Sequence, residues 1–364
     1  MPTDQRTKTL LRATALAATA LLLTGTAARA AAPVSGTPAV ITVGSGQALP
    51  SVSPDGATAY VVATQSDGTL AAEAVDTRSG QVTGTAPLGA VQGYLYSALS
   101  GDGSRLYVVD GLRLSVLDTA GPTVLATVAL PDQPRPAGWS QGIPTAVVVS
   151  PDGAYVYVVQ QGPSAWRQAG QARVLAFATA QRQFTSSLSL PAQSSATAAI
   201  RPDGRNLYVA GGSGVYHLST AGGTLGLVGT VAGTNTGGDS AIAFGRDGRQ
   251  LLAVSPEGGG TADLIDTGTD TVSRHLAFPQ VNPGYPPRLS ADGSRFYLIQ
   301  NGGPDSGYAA VVSVDAVTGA PYPAETVVAQ EGEGLTGLAV GPDGHTLYLG
   351  GTSGTDAELE IAGI

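Results

Sequence analysis

The chain has 364 residues, 42% of them apolar and 12% charged, with a formal net charge of −9 and no cysteine. That length is ample for a large buried core, and the missing cysteines exclude disulfides, thiolate metal sites and cysteine nucleophiles together. The acidic balance repels phosphate backbones and disfavours nucleic acid as a partner.

Residues 1–30 read as a Sec-type signal peptide. Arg6, Lys8 and Arg12 form a basic start, residues 13–27 (ATALAATALLLTGTA) an apolar stretch, and Ala28-Arg29-Ala30 a small-x-small cleavage site. Cleavage there removes four of the 18 basic and one of the 27 acidic residues, leaving a net charge of about −12 on an exported chain of residues 31–364. No later run is long enough to span a membrane as a helix.

From residue 52 onward one pattern recurs seven times: VSPDGATAYVV (52–62), LSGDGSRLYVV (99–109), VSPDGAYVYVV (149–159), IRPDGRNLYVA (200–210), FGRDGRQLLAV (244–254), LSADGSRFYLI (289–299) and VGPDGHTLYLG (340–350). The marker aspartates Asp55, Asp102, Asp152, Asp203, Asp247, Asp292 and Asp343 are 44 to 51 residues apart. That period, with strand-like content and no 3.6-residue periodicity, belongs to propeller blades rather than helical solenoids. Pro, Asp and Gly are the residues of a tight turn: Pro presets φ, Asp bonds nearby amides, and Gly takes the positive φ. The aspartates are therefore read as turn formers and not as metal ligands. Five residues past each stands a tyrosine (Tyr60, Tyr107, Tyr157, Tyr208, Tyr297, Tyr348), or Leu252 in the fifth copy, at a position suited to packing between blades.

A second hairpin follows each copy, its turn marked by Asp-Thr in LAAEAVDTRSGQVTGTAPLG (70–89), LSVLDTAGPTVLATVALP (114–131) and ADLIDTGTDTVSRHLAFP (262–279). The fold class is thus all-β: a seven-bladed β-propeller of four-stranded blades, spanning residues 31–364. The last copy has only two more strands before the chain ends. PAVITVGSG (38–46) is expected to supply the missing outer strand, closing the ring against the last blade. A monomer is expected.

The alternation of (V/L)SPDGxxxYV with V(I/L)DTxTxxVxxT(I/V)x(V/L)(G/P) resembles the YVTN-type propeller repeats of bacterial exported and surface proteins, over residues ~38–364. Seven-bladed lactonases share similar SPDG-type repeats. The resemblance implies the architecture; as an activity, it implies a lactonase-like hydrolase working with acidic, amide and basic side chains at the channel mouth.

In such a ring the loops leading into the inner strands and those joining second to third strands share one face, around the channel mouth. Blade 3 has unusually long loops there, PDQPRPAGWSQGIP (131–144) and QQGPSAWRQAGQA (160–172), which hold both tryptophans, Trp139 and Trp166, beside Arg135 and Arg167. Aromatics flanked by arginine suit a binding hot spot for a ligand or protein partner. Tyr285 and Tyr308 lie in other loops of that face, and Arg288 in an inner strand (PPRLS, 286–290) is placed to reach the channel. Asp239, Glu331, Glu333 and Asn282 are the candidate metal ligands, with Asn235 and Asp305 nearby in sequence; converging oxygens would select Ca2+. Asp239, Glu331, Glu333, Asn282 and Arg288 are the hydrolase candidates.

Gly138-Trp139-Ser140-Gln141-Gly142 matches GxSxG, but no helix is expected after it, and His217, His275 and His345 fall away from the channel mouth. AVDTRSG (74–80) and SVDAVTG (313–319) lack the tryptophan that follows in quinoprotein propellers, and no nucleotide or haem signature occurs. The cofactor stays unassigned. The leading expectation is a non-catalytic exported propeller that binds a ligand or protein partner through the channel-mouth face.

Overall fold

The structure is a computed structural model, and it describes residues 39–192, 194, 197–212, 214–234, 240–255, 261–277, 285–301, 309–322, 327–328 and 334–364. The expected leader, residues 1–30, lies outside the described residues. No described helix is long and apolar enough to cross a membrane.

Seven four-stranded antiparallel sheets follow one another along the chain. Each begins with an inner strand: Ala48–Val52, Leu95–Leu99, Pro144–Val149, Ala198–Ile200, Ala241–Phe244, Arg288–Leu289 and Gly334–Val340 for blades 1 to 7. Each inner strand touches those of the blades before and after it, and the seventh touches the first, so the sheets form a closed ring. Closure is made by the strand Ala39–Ser45, which pairs with the last strand, Asp356–Gly363, from Ala39 opposite Ile361 to Ser45 opposite Asp356. Edge amides that would otherwise stay open are thereby paired.

Described apolar residues gather into seven buried clusters, and each cluster joins two neighbouring blades. The second strand of blade 3 shows why. Val156 and Val158 pack toward blade 2, while Tyr157 and Val159 pack toward blade 4. A strand buried on both faces needs an unbroken apolar run, which is what YVYVV supplies. The outermost strands instead alternate, as in Gln183–Ser189, where every second residue is exposed.

The repeated residues are the parts that hold the ring. All six repeat tyrosines are buried, as is Leu252. Tyr60 Oη donates to the Thr119 carbonyl of the next blade at 3.3 Å, and Tyr208 Oη to Asp270 Oδ1 at 2.6 Å. The threonines of the second turn, which follow Asp in blades 1, 2 and 5 and Ser in blade 4, reach back to their own blade's first turn: Thr77, Thr119, Thr220 and Thr267 donate to the carbonyls of Gly56, Gly103, Gly204 and Gly248 at 2.6–2.8 Å. In these blades the two sequence signatures are therefore bonded to each other, and in blades 1 and 4 the tyrosine then bonds the assembly to its neighbour.

The marker aspartates act as turn formers. Asp102 Oδ1 accepts from Ser100 Oγ at 2.6 Å and from the Ser104 amide at 3.0 Å, and these bonds hold its carboxyl down at about 2. Asp292 repeats the arrangement with Ser290 and Ser294. The following glycines also make the inter-blade contact. A Cβ on Gly103 would lie 2.5 Å from Pro54 Cδ, and one on Gly56 3.2 Å from Pro342 Cγ, so the turn proline of one blade sits on the turn glycine of the next. Blade 4, whose repeat is loosest in sequence, is clamped to blade 5 differently: His217 stacks on Tyr208 at 4.5 Å and places Nδ1 2.7 Å from Asp270 Oδ2.

Candidate functional site at the channel mouth

The inner strands enclose a channel with a cavity of about 1030 Å³. Its described wall is mostly small and apolar, with Ala98, Val148, Ala199 and Ala243 among the residues of the successive inner strands of blades 2 to 5. One charged side chain, Arg288, stands among the described lining residues, together with Tyr94, Tyr96 and Tyr285.

The loop carrying Tyr94 is fixed from below by Asp110, the buried last residue of LYVVD (106–110). Its carboxylate accepts the Gln92 and Gly93 amides at 2.9 and 3.0 Å and the Arg113 guanidinium at 2.6 Å. The Gly111 amide then donates to the Tyr94 carbonyl at 3.1 Å. Tyr94 is consequently 61% exposed on a loop whose backbone is tied down. Tyr96, two residues on, begins to enter the inner strand of blade 2. Burial pushes its phenol above the ordinary range, with smaller contributions from Tyr94 and from Tyr285 of blade 6. Burial also raises Tyr285.

Arg288 stands in the inner strand of blade 6, as its place in PPRLS suggested. Its Nε donates to the Leu338 carbonyl of blade 7 at 2.9 Å. Among the described residues this contact with a carbonyl is its hydrogen bond, and no carboxylate pairs with it. Water reaches the side chain through the channel, but the protein wall around it lowers the guanidinium pKa by desolvation.

The two long loops of blade 3 are joined. Ser140 and Ser164 exchange backbone hydrogen bonds of 2.9 and 3.0 Å, and the second loop folds into a small hairpin, Ser164–Ala165 with Gln168–Ala169, that the sequence did not announce. Trp166 and Arg167 form its two-residue tip. Arg167 has φ +60° and lies 5.5 Å from the Trp166 ring centre, and Trp166 is 83% exposed. Trp139 is half-buried. Arg135 is engaged within its own loop, donating to Asp132 Oδ1 at 2.6 Å, the Gln133 carbonyl at 2.8 Å and the Trp139 carbonyl at 3.2 Å. Ser140 thus belongs to a strand-like bridge, not to the strand-to-helix turn that GxSxG needs.

Three buried polar residues support these loops, and none was singled out in the sequence. Gln133 donates to the Gln161 carbonyl at 3.1 Å and accepts the Gly142 amide at 3.0 Å. Gln160 donates to the Gly142 carbonyl at 2.6 Å. Arg173 donates to Gln160 Oε1 at 2.8 Å, to the Asp132 carbonyl at 3.1 Å and to the Pro131 carbonyl. The signal available was three polar residues beside apolar strands, and it names no partners.

Neither tryptophan is among the residues lining the cavity, whereas Tyr285 and Arg288 are. Tyr308, Asp239, Glu331, Glu333, Asn282, Asn235 and Asp305 lie outside the described residues. Among the described residues no group of three or more His, Asp or Glu is placed to hold a metal ion.

No family model matches the chain. A curated relative, the seven-bladed beta-propeller protein Rv1057 of Mycobacterium tuberculosis, is 33% identical over 132 residues, 36% of this chain and 31% of the relative. The chain is a seven-bladed β-propeller. The match spans about a third of that relative's length. A solved structure, Kuenenia stuttgartiensis hydrazine synthase, superimposes with a TM-score of 0.59 at 18% identity, covering 87% of this propeller and 95% of that chain. At that identity the likeness is one of fold.

Proposed function

We propose that the protein is an exported, non-catalytic propeller that binds a ligand through its channel-mouth face. The observation that carries this reading is the channel itself. A cavity of about 1030 Å³, walled by small apolar residues and ringed by Tyr94, Tyr96 and Tyr285, has the make-up of a ligand site: an apolar body with a few polar groups. The Asp110 clasp supports it further, because a tied loop presents Tyr94 at little entropic cost. The joined loops of blade 3 offer Trp166 on the same face as a second contact for a larger ligand or a protein partner.

The test is equilibrium binding of a neutral aromatic probe, naphthalene-2-carboxamide, to the wild type and to Ser97→Trp. Ser97 is half-buried and lines the cavity, so the indole would take the space beside Tyr96 that the probe's ring needs. The wild type is expected to bind the probe and the folded variant to lose it. Equal binding by both would place the probe elsewhere and defeat the reading. Turnover of simple lactones or esters by the purified protein would favour the hydrolase alternative.

A further inference from the structure

We infer that Arg288 is the anion receptor of the channel, and that the ligand is a flat, apolar molecule bearing one carboxylate, held by the guanidinium with its body against Tyr94, Tyr96 and Tyr285. This rests on the channel being the binding site, and it adds the ligand's chemical class.

The Arg288 guanidinium is held through one of its three nitrogens. Nε is used by the Leu338 carbonyl, which fixes the plane of the group across the seam between blades 6 and 7. Its two terminal nitrogens have no hydrogen bond or ion pair among the described residues. They form the planar fork that matches both oxygens of a carboxylate. No other described lining residue carries charge. The side chain is exposed to the channel, and among the described lining residues no carboxylate stands to compete with an entering anion. Desolvation already lowers the Arg288 pKa. One receptor cation matches one anionic group; a second carboxylate would enter an apolar wall unpaired.

The rest of the site sets the ligand's body. Tyr96 and Tyr285 belong to blades 2 and 6, which are not neighbours in the ring, and both line the same cavity. Aromatic side chains in the wall of a cavity favour a flat ring system against them. The cavity volume lies at the upper end of small-molecule sites, roughly 300–1,000 Å³, so it accommodates more than one ring.

The test is calorimetric titration of the purified protein with naphthalene-2-carboxylate and naphthalene-2-carboxamide, which differ in charge and little in shape. The wild type is expected to bind the carboxylate at least about tenfold more tightly, a difference of ~1.4 kcal/mol. Arg288→Met is expected to melt like the wild type and to bind the two probes equally. Arg288→Lys keeps the charge without the fork and is expected to retain part of the preference. Equal affinities in the wild type would overturn the inference while leaving the channel as a binding site, as would a preference that survives in Arg288→Met. Failure of both probes to bind would overturn the binding reading and this inference with it.

Discussion

Gly103 and Gly153 occupy the same turn position in successive blades, with φ of +73° and +69°, but their surroundings differ. A Cβ on Gly103 would stand 2.5 Å from Pro54 Cδ, whereas one on Gly153 would meet nothing within 4 Å. The preceding blade explains this: blade 1 has Pro54 in its turn, and blade 2 has Gly101 at that place. Placing an L side chain in the left-handed region costs roughly 1–2 kcal/mol at either position. At Gly103 the clash adds an overpacking cost of about 1–3 kcal/mol, because the obstacle is a proline ring that cannot rotate away. Gly153→Ala is therefore expected to destabilise by ~1–2 kcal/mol and Gly103→Ala by ~2–5 kcal/mol. Adding Pro54→Ala to Gly103→Ala is expected to return most of the difference. Urea unfolding followed by intrinsic fluorescence measures all three. Equal costs at the two glycines, or no recovery on removing the proline ring, would refute the inter-blade role of the turn.

Other consequences follow from the same contacts. Deleting residues 36–46 is expected to lower the melting temperature sharply. It removes the closing strand and the buried Val43, itself worth about 1.5–3 kcal/mol, and an unchanged melting curve would sink the closure. Asp110→Ala is expected to cost ~3 kcal/mol by leaving Arg113 and two loop amides unpaired; a change below ~0.5 kcal/mol by urea unfolding would mean that the clasp contributes nothing. The carboxyls of Asp102 and Asp292 sit at about 2 in the folded chain, below the unfolded value of about 3.9. Their contribution is present above pH ~4 and lost as pH falls toward ~2. The Asp102→Asn, Asp292→Asn double variant should thus be less stable at neutral pH and show a shallower acid decline in melting temperature, and an unchanged acid slope would contradict this. Trp166→Ala is expected to change stability by less than ~0.5 kcal/mol, since the ring is 83% exposed.

The ring was legible because its repeats are local. A turn needs Pro, Asp and Gly at adjacent positions, and a strand buried on both faces needs an apolar run, so both appear as words in the sequence. The threonines of the second turn recur less regularly, and their bond to the turn glycine is a contact the sequence does not announce. Arg288 was legible for the opposite reason: it interrupts an inner strand where every neighbour is apolar or small. Tyr96 was not, because a tyrosine facing the channel and one packed between blades follow the same kind of apolar residue, and strand register alone separates them. Asp110, Gln133, Gln160 and Arg173 were hidden because their work is long-range. Arg173 ends on carbonyls about forty residues away, and a backbone carbonyl carries no mark in the sequence.

The most direct measurement is a crystal structure of the protein grown with naphthalene-2-carboxylate. The carboxylate is expected on the terminal nitrogens of Arg288, with the rings against Tyr96 and Tyr285 inside the channel. Ligand density over Trp166 and Trp139 with the channel free of it, or in the channel with the carboxylate turned away from Arg288, would contradict this expectation.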